Sequence, residues 1–393
     1  MRLVHLADTH LGYRAYHRVT PRGINLREAD VAIAFREAIG KTIELAPDLV
    51  VVAGDVFHSV RPSNAAIADG FRQFARLRES CPETPVVVIA GNHDTPRAAE
   101  VGSILRLFEE IPGLHVAAHE ARRIHFEALD ASVLALPHAA LAAPERPAVE
   151  PEPSARTNIL VAHAGVDHPK VKALVEYGGV ILPPDAFRPD DWSYVALGHY
   201  HLFEPLGPNM AYAGATERTS SNLWEEAASP KGFVEYDTET GRCTFHALES
   251  PRPVLDLEPI DVYGRSAEEV DGLVESAVES VEGGIEGKIV RLRLVNCSRP
   301  VYRALDHRRI RQWRARATHF HLDVRPPEVV RSEASGAPGR RATLEEEVER
   351  FLLHDFTPSH PETEREALVA LAREMLREIE ETPEGANGAG GNA

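Results

Sequence analysis

Five short apolar runs punctuate the first half of the chain: Arg2–Ala7, Leu49–Ala53, Val86–Ala90, Asn158–Ala162 and Tyr194–Leu197. They are too short and too uniformly apolar for amphipathic helices and predict strands buried on both faces. Between them the spacing changes to helical. In 27–45, Val31, Ile33, Ala34, Ala38 and Ile39 predict a helix that Ala46-Pro47 ends. In 64–78, Ile67, Phe71, Phe74 and Leu77 fall on one stripe after Pro62-Ser63, a helix-start signal. In 96–110, Val101, Ile104, Leu105 and Phe108 repeat the pattern up to Pro112-Gly113. Strands alternating with helices predict an α/β domain.

The pattern then changes. The segment 139–157, rich in Pro and Glu, reads as a surface excursion, because another strand of the same style follows it. Gly232–Tyr236 and Arg242–Leu248 flank Asp237-Thr238-Glu239-Thr240-Gly241, a hairpin turn signal. The first domain, 1–253, ends there. A smaller α+β module, 254–331, follows: strand 255–262, an acidic helix over 266–282, strand 288–295, helix 306–317 and strand 319–325. A Ser/Gly/Pro/Arg linker, 332–342, leads to two tail helices, 343–354 and 361–381 (together 343–381), and 382–393 has a disordered composition.

The chain has 393 residues, 43% of them apolar, which supports a sizeable core and excludes a wholly disordered protein. No apolar run is long enough to span a bilayer, and the start of the chain lacks a signal-peptide pattern, so the expected setting is cytoplasmic, with no membrane partner. The cysteines Cys81, Cys243 and Cys297 are too scattered for a disulfide framework or thiolate metal site. A formal net charge of −17 argues against the whole surface being a nucleic-acid platform, but not against a local basic face.

Candidate chemistry collects where the five strands end. The sequences there are Asp8-Thr9-His10, Gly54-Asp55-Val56-Phe57-His58, Gly91-Asn92-His93-Asp94, His163 and Gly198-His199-Tyr200-His201. In an open α/β sheet, sites assemble at the carboxyl ends of strands, so distant residues can converge. Asp8, His10, Asp55, Asn92, His163, His199 and His201 form a ligand set too large for one ion but suited to two, with Asp55 as the bridging carboxylate. Imidazole, carboxylate and amide donors without thiolate suit Mn²⁺, Fe²⁺ or Zn²⁺. Two such ions clamp a phosphate and acidify a bound water. Any one of these motifs alone is commonly a turn or a cap; five in order, each after a strand, point to a metal site.

These motifs resemble the calcineurin-like metallophosphoesterases, and within them the bacterial SbcD type of DNA double-strand-break repair nuclease subunit. The subtype features are Leu11-Gly12-Tyr13 after the first motif, His58 in the second, and Tyr212-Ala213-Gly214-Ala215-Thr216-Glu217-Arg218 after the last histidine pair. The resemblance implies an αββα sandwich with a smaller α+β capping domain and a C-terminal helical tail. It implies one ion held by Asp8, His10, Asp55 and His201 and a second by Asp55, Asn92, His163 and His199, with Mn²⁺ the foremost candidate. His93 would face the scissile phosphate as a catalytic group oriented by Asp94, and His58 would position substrate. A turn histidine at 58 and a helix cap at Asp94 are the structural alternatives.

The implied function is 3′→5′ exonuclease action on duplex DNA ends and endonuclease action on single strands, with an SMC-like ATPase partner of the SbcC type. The chain has no Gly-x-x-x-x-Gly-Lys-Ser/Thr loop, so ATP use would come from that partner. A phosphatase or cyclic-nucleotide phosphodiesterase with the same metal core is the alternative, and a non-catalytic scaffold a third. Arg299, Arg303, Arg308, Arg309, Arg311, Arg314 and Arg316 could grip DNA, with Tyr302 and Trp313 stacking, or could pair with the acidic helix. The stripes in 64–78 and 97–110 serve either the core or, as the resemblance implies, a homodimer. The tail helices either pair with each other or dock on the ATPase.

Overall fold

The run Arg2–Leu6 pairs in parallel with Leu49–Val52, which pairs in parallel with Val86–Ile89, and that strand with Leu114–Ala117. On its other side Arg2–Leu6 meets Gly232–Asp237, antiparallel, followed by Arg242–Ala247. These make a six-stranded sheet. A second six-stranded sheet runs in the order Glu204–Pro205, Met210–Tyr212, Tyr194–Gly198, Thr157–His163, Ala131–Leu136 and Arg122–Phe126. The structure is a computed structural model and describes residues 1–96, 102–169, 171, 179–327, 343–356 and 365–381.

Alternation along the strands builds three layers of core. Val4, Leu6, Val50 and Val52 face the helices Leu26–Leu45 and Asn64–Ser80, packing on Phe35 and Phe74. Their neighbours Leu3, Leu49 and Val51 face the second sheet, meeting Ile159, Val161 and Tyr194. The far side of that sheet, with Leu160, Val195 and Leu197, is covered by Phe187 and Trp192 from short helical turns. This is the expected α/β sandwich, its central strands buried on both faces as their uniform apolarity requires.

Local signals set the element ends. The Asn25 side chain accepts from the Arg27 amide at 3.0 Å to start the first helix, and Ala46 turns left-handed before Pro47 to stop it. Of the segment 96–110, residues 97–101 lie outside the described residues, and 104–110 forms a 3₁₀ helix. There Leu105 is fully buried in the helix-side core, which also takes Phe74 and Leu77, so these positions of the two stripes serve the core rather than a free surface. The excursion 139–157 overlaps one short helix, His138–Ala142.

The same compact unit, Met1–Pro327, contains a third sheet. Ile289–Val295 is its spine, paired in parallel with Val254–Asp256 and Ile260–Asp261 on one edge and His319–Val324 on the other. The expected strand 255–262 is thus two short strands, broken around Glu258-Pro259 because proline cannot donate to the ladder. Trp313 is buried in this module's core with Phe320, so it is not placed to stack on DNA. Arg309 pairs with Glu275 of the acidic helix Ala267–Glu279, and Arg316 with Glu286 at 2.7 Å. Arg299, Arg303, Arg308, Arg311 and Arg314 are exposed and stand outside these pairs.

The second unit, described by itself, contains Leu344–Arg350, a π-helical turn Phe351–Asp355, and Arg365–Glu381. Its helices pair with each other: Arg373 bonds Glu349 and lies 3.5 Å from Glu345, and Arg365 donates to the Leu353 carbonyl at 2.7 Å. Leu344, Phe351, Leu371 and Met375 stay exposed. The linker 332–342 and the segment 382–393 lie outside the described residues. No described helix is long and apolar enough to cross a membrane.

Candidate metal centre

Each of the seven candidate ligands sits at or just past the carboxyl end of a sheet strand. Four of them hold backbone conformations that side-chain-bearing residues seldom adopt: φ is 50° at Asp8, 46° at His10, 51° at Asp55 and 102° at His199. Such strain persists only where the surroundings over-determine it. Here they do: the Asp8 amide donates to the Gly54 carbonyl at 3.0 Å and the His10 amide to the Asp55 carbonyl at 2.9 Å. Gly54 has φ 92°, and a Cβ there would lie 2.3 Å from the His163 ring. At Gly91 a Cβ would lie 2.0 Å from Asp55 Oδ1. Both glycines leave room for a ligand to turn inward.

The seven side chains converge into two adjoining groups. Asp8, His10 and His201 bring their donor atoms within 4.8 Å of one another, and so do Asp55, His163 and His199. His10 Nε2 and His201 Nε2 are 3.0 Å apart. Asn92 Oδ1 completes the second group, 2.9 Å from His163 Nε2 and 3.1 Å from His199 Nδ1. Asp55 joins the two: its Oδ2 lies 3.8 Å from His10 Nε2 and 3.4 Å from His163 Nε2. The other oxygen, Oδ1, accepts the His93 amide at 2.9 Å. Except for Asn92, all these residues are buried. Convergent imidazole nitrogens, carboxylates and an amide oxygen, without thiolate, are a donor set that fits divalent ions.

The protein's own electrostatics show the mutual demand. Burial lifts the Asp8 carboxyl to about 6, against the pull of His163 and His201. For His163, burial is outweighed by the Asp55 charge and hydrogen bond and then by Asp8, which raise it to about 9. Burial holds His10 well below its ordinary value. The carboxylates thus call for cationic partners, and only part of the imidazole set can supply charge.

His93 and His58 stand beside the two groups. Their rings stack with centroids 5.1 Å apart, and each lies near His10, at 4.9 and 5.4 Å. The His93 ring is oriented by the His58 carbonyl, 2.9 Å from Nδ1. Asp94 does not hold it. The buried Asp94 carboxylate instead accepts the amides of Val56, Phe57 and Gly91 at 2.9, 2.8 and 3.2 Å, clamping the second and third motif loops together. Burial and the Asp55 charge push its pKa to about 7, against those three amides.

Two residues behind the centre escaped the sequence reading. Glu226 lies 3.3 Å from His201 Nδ1 and forms an ion pair with the fully buried Lys231, whose Nζ also donates to the His201 carbonyl at 2.7 Å. They sit in a turn-rich stretch without periodicity, Asn222–Lys231, where a buried charge leaves no pattern; a lysine directly before a strand was the available hint.

The calcineurin-like phosphoesterase family matches residues 1–203, and the chain belongs to that family. It is a metal-dependent phosphoesterase whose Asp and His groups are placed for the metal. Curated proteins named "DNA double-strand break repair protein Mre11" are among those it is similar to. The one from Methanococcus maripaludis is 28% identical over 59% of this chain and 62% of that protein. The one from Methanocaldococcus jannaschii is 28% identical over 69% of both. The one from Thermoplasma acidophilum is 31% identical over 65% of this chain and 67% of that protein. The matched region therefore spans about two thirds of these relatives' length. Among solved structures, a dimetal phosphatase from Danio rerio aligns at a TM-score of 0.34 and 12% identity, covering 60% of this chain and 91% of that one.

Proposed function

We propose that this calcineurin-like phosphoesterase is a DNA nuclease that acts in double-strand-break repair. The observation that carries the reading is the similarity, over more than half of the chain, to proteins named for that repair. Asp8, His10, Asp55 and His201 would hold one ion, and Asp55, Asn92, His163 and His199 the other, with Mn²⁺ the preferred metal. Bound there, two divalent ions would neutralise charge on a phosphodiester and acidify a water. The chain's own contribution is placement. Asp55 ties the halves of the site together. His93, its Nδ1 held by the His58 carbonyl, would stabilise charge or protonate the leaving oxygen, and His58 would position the phosphate.

The exposed Arg299, Arg303, Arg308, Arg311 and Arg314 would contact the DNA backbone, supplying the positive charge that the chain as a whole lacks. An SMC-like ATPase of the SbcC type would dock on the exposed Leu344, Phe351, Leu371 and Met375 of the tail. A homodimer completes the proposed assembly, and the setting is cytoplasmic.

The test is Mn²⁺-dependent cleavage of end-labelled duplex and single-stranded DNA, set against p-nitrophenyl phosphate, with and without a co-expressed ATPase and ATP. DNA degraded from 3′ ends and single strands cut internally is the expected result. Turnover of the monoester with DNA untouched would reassign the protein as a phosphatase.

A further inference from the structure

The module built on the third sheet has its own apolar core, with Val290, Leu292 and Phe320, separate from the cores of the two larger sheets. Among the described residues one small apolar cluster, around Leu223, Val254 and Ile289, joins the two parts. Parts joined without a large apolar interface move relative to one another by default. The register between the metal centre and the arginine-bearing helix His307–Arg316 therefore has to be set by polar contacts.

Charged groups at the junction supply them. Arg252 lies where the first domain passes into the module. Its Nε and Nη2 donate to the two oxygens of Asp30, on the helix Leu26–Leu45, at 2.6 and 2.5 Å. Its Nη1 donates to the Thr318 hydroxyl at 3.2 Å and to the Gly287 carbonyl, both in the module. The Arg252 amide donates to Glu217 at 2.8 Å. Arg27, 1% exposed, sits between the two buried acids, 2.8 Å from Asp30 and 3.3 Å from Glu217. Arg218 extends the network to the metal centre. It donates to the Arg252 carbonyl at 3.2 Å and to the Glu226 and Ser229 carbonyls at 3.2 and 2.8 Å, in the turn whose Glu226 carboxylate meets His201.

Buried ion pairs contribute little net stability over apolar packing, because desolvation offsets their attraction. Their effect is geometric: a guanidinium fork meets a carboxylate in one plane and one register, whereas apolar surfaces can slide. A second tie lands on the same place. Arg18, in the loop after His10, donates to the carbonyls of Arg314 and Ala317 at 3.1 and 3.0 Å, and to that of Ala315, where the helix His307–Arg316 ends. We propose that Arg252 is a positioning residue, with Arg18 as its second: by locking Asp30 of the first domain to Thr318 and Gly287 of the module, it holds the exposed arginines of that helix in fixed register with the metal centre. The consequence for turnover rests on the nuclease reading. DNA gripped by those arginines would be presented to the centre in one register, while a small diester, which reaches no arginine, gains nothing from the joint.

Two measurements on the full-length chain test this. The first needs no activity. Nitroxides are attached through an azido amino acid introduced at Glu239 and at Tyr263, both exposed and one in each part, and their separation is read by pulsed electron resonance. One narrow distance is expected in the wild type, a distribution about twofold wider in Arg252→Ala, and a wider one still in Arg252→Ala/Arg18→Ala. The second is turnover by the Mn²⁺-loaded protein. Arg252→Ala is expected to leave hydrolysis of bis(p-nitrophenyl) phosphate unchanged and to lower kcat/KM on duplex DNA about ten- to a hundredfold, the usual cost of a misplaced substrate. A broad distance in the wild type, or none wider in Arg252→Ala, overturns the joint; if DNA turnover still falls, Arg252 acts on DNA itself. A widened distance with DNA turnover unchanged overturns the positioning role. Widening in a protein whose wild type leaves DNA intact supports the joint and overturns the nuclease reading instead. If Arg252→Ala does not fold, Arg252→Lys, which keeps the charge but cannot make the paired bonds, is read in the same two ways.

Discussion

The Glu226 carboxylate lies 3.3 Å from Nδ1 of His201, the ring nitrogen opposite the one that meets His10. It fixes which nitrogen of His201 carries a proton, leaving Nε2 with its lone pair toward the proposed metal. Lys231, bonded to both Glu226 and the His201 carbonyl, locks ring and backbone together. Glu226→Gln is expected to weaken Mn²⁺ affinity roughly ten- to a hundredfold, the usual loss on removing a group that orients a ligand. Calorimetric titration checks this, and a melt of the metal-free variant separates it from lost stability.

Asp55→Ala removes the carboxylate near both donor groups. Bound Mn²⁺ is expected to fall from about two ions per chain to near none, with activity lost. Metal analysis after gel filtration reads the outcome; two ions retained would show that Asp55 does not join the sites.

His93→Ala should leave the metal content intact and slow turnover about 10²–10⁴-fold, the contribution of a positioned acid or electrostatic donor. A fall in bound metal instead would make His93 a ligand. Asp94→Asn is expected to behave differently. It loosens three amides between the second and third motif loops, so stability and metal affinity should drop together.

His5 gives a pH dependence remote from the ligands. It lies between the two sheets, bonded to the Tyr194 hydroxyl at 3.0 Å, and burial lowers its pKa to about 3, the Leu197 backbone only partly opposing. The unfolded chain therefore takes up a proton near pH 6.5 that the folded chain refuses until about pH 3. Stability from this group is complete above pH 6.5 and falls by about 1.4 kcal/mol per pH unit as the pH drops through that window. Urea unfolding of metal-free protein between pH 7 and 4 measures it. His5→Phe should flatten this slope while losing some stability at pH 7, because the Tyr194 hydroxyl loses its partner.

Five strands could be found from the sequence because a strand covered on both faces is apolar at most positions, His5 in the first being a buried exception. Asp8, Asp55, Asn92, His163 and His199 were legible as a set because each follows such a run directly. Arg122–Phe126, which alternates with arginines, and Glu204–Pro205 carried no comparable mark; an edge strand takes its identity from the neighbour it pairs with. The buried core positions of Trp313 and Leu105 illustrate the same limit, since a helical stripe states that one face is apolar, not what covers it.

The sequence by itself determined the central strands of the first domain, the helices after the first two of them and the chemical types of the donors, because those depend on short-range spacing and side-chain identity. The tertiary structure alone decided that Asp94 clamps backbone amides rather than the His93 ring, that one oxygen of Asp55 reaches both donor groups, and that Glu226 and Lys231 stand behind His201. Those outcomes turn on partners distant in the chain, 25 positions apart for Glu226 and His201 and 37 and 38 for Asp94 and the Phe57 and Val56 amides. Such choices are made by how the two sheets pack and by the left-handed turns at Asp8, His10, Asp55 and His199 that this packing enforces. A local pattern can nominate a ligand, but only the distances between strands set which oxygen or nitrogen it presents.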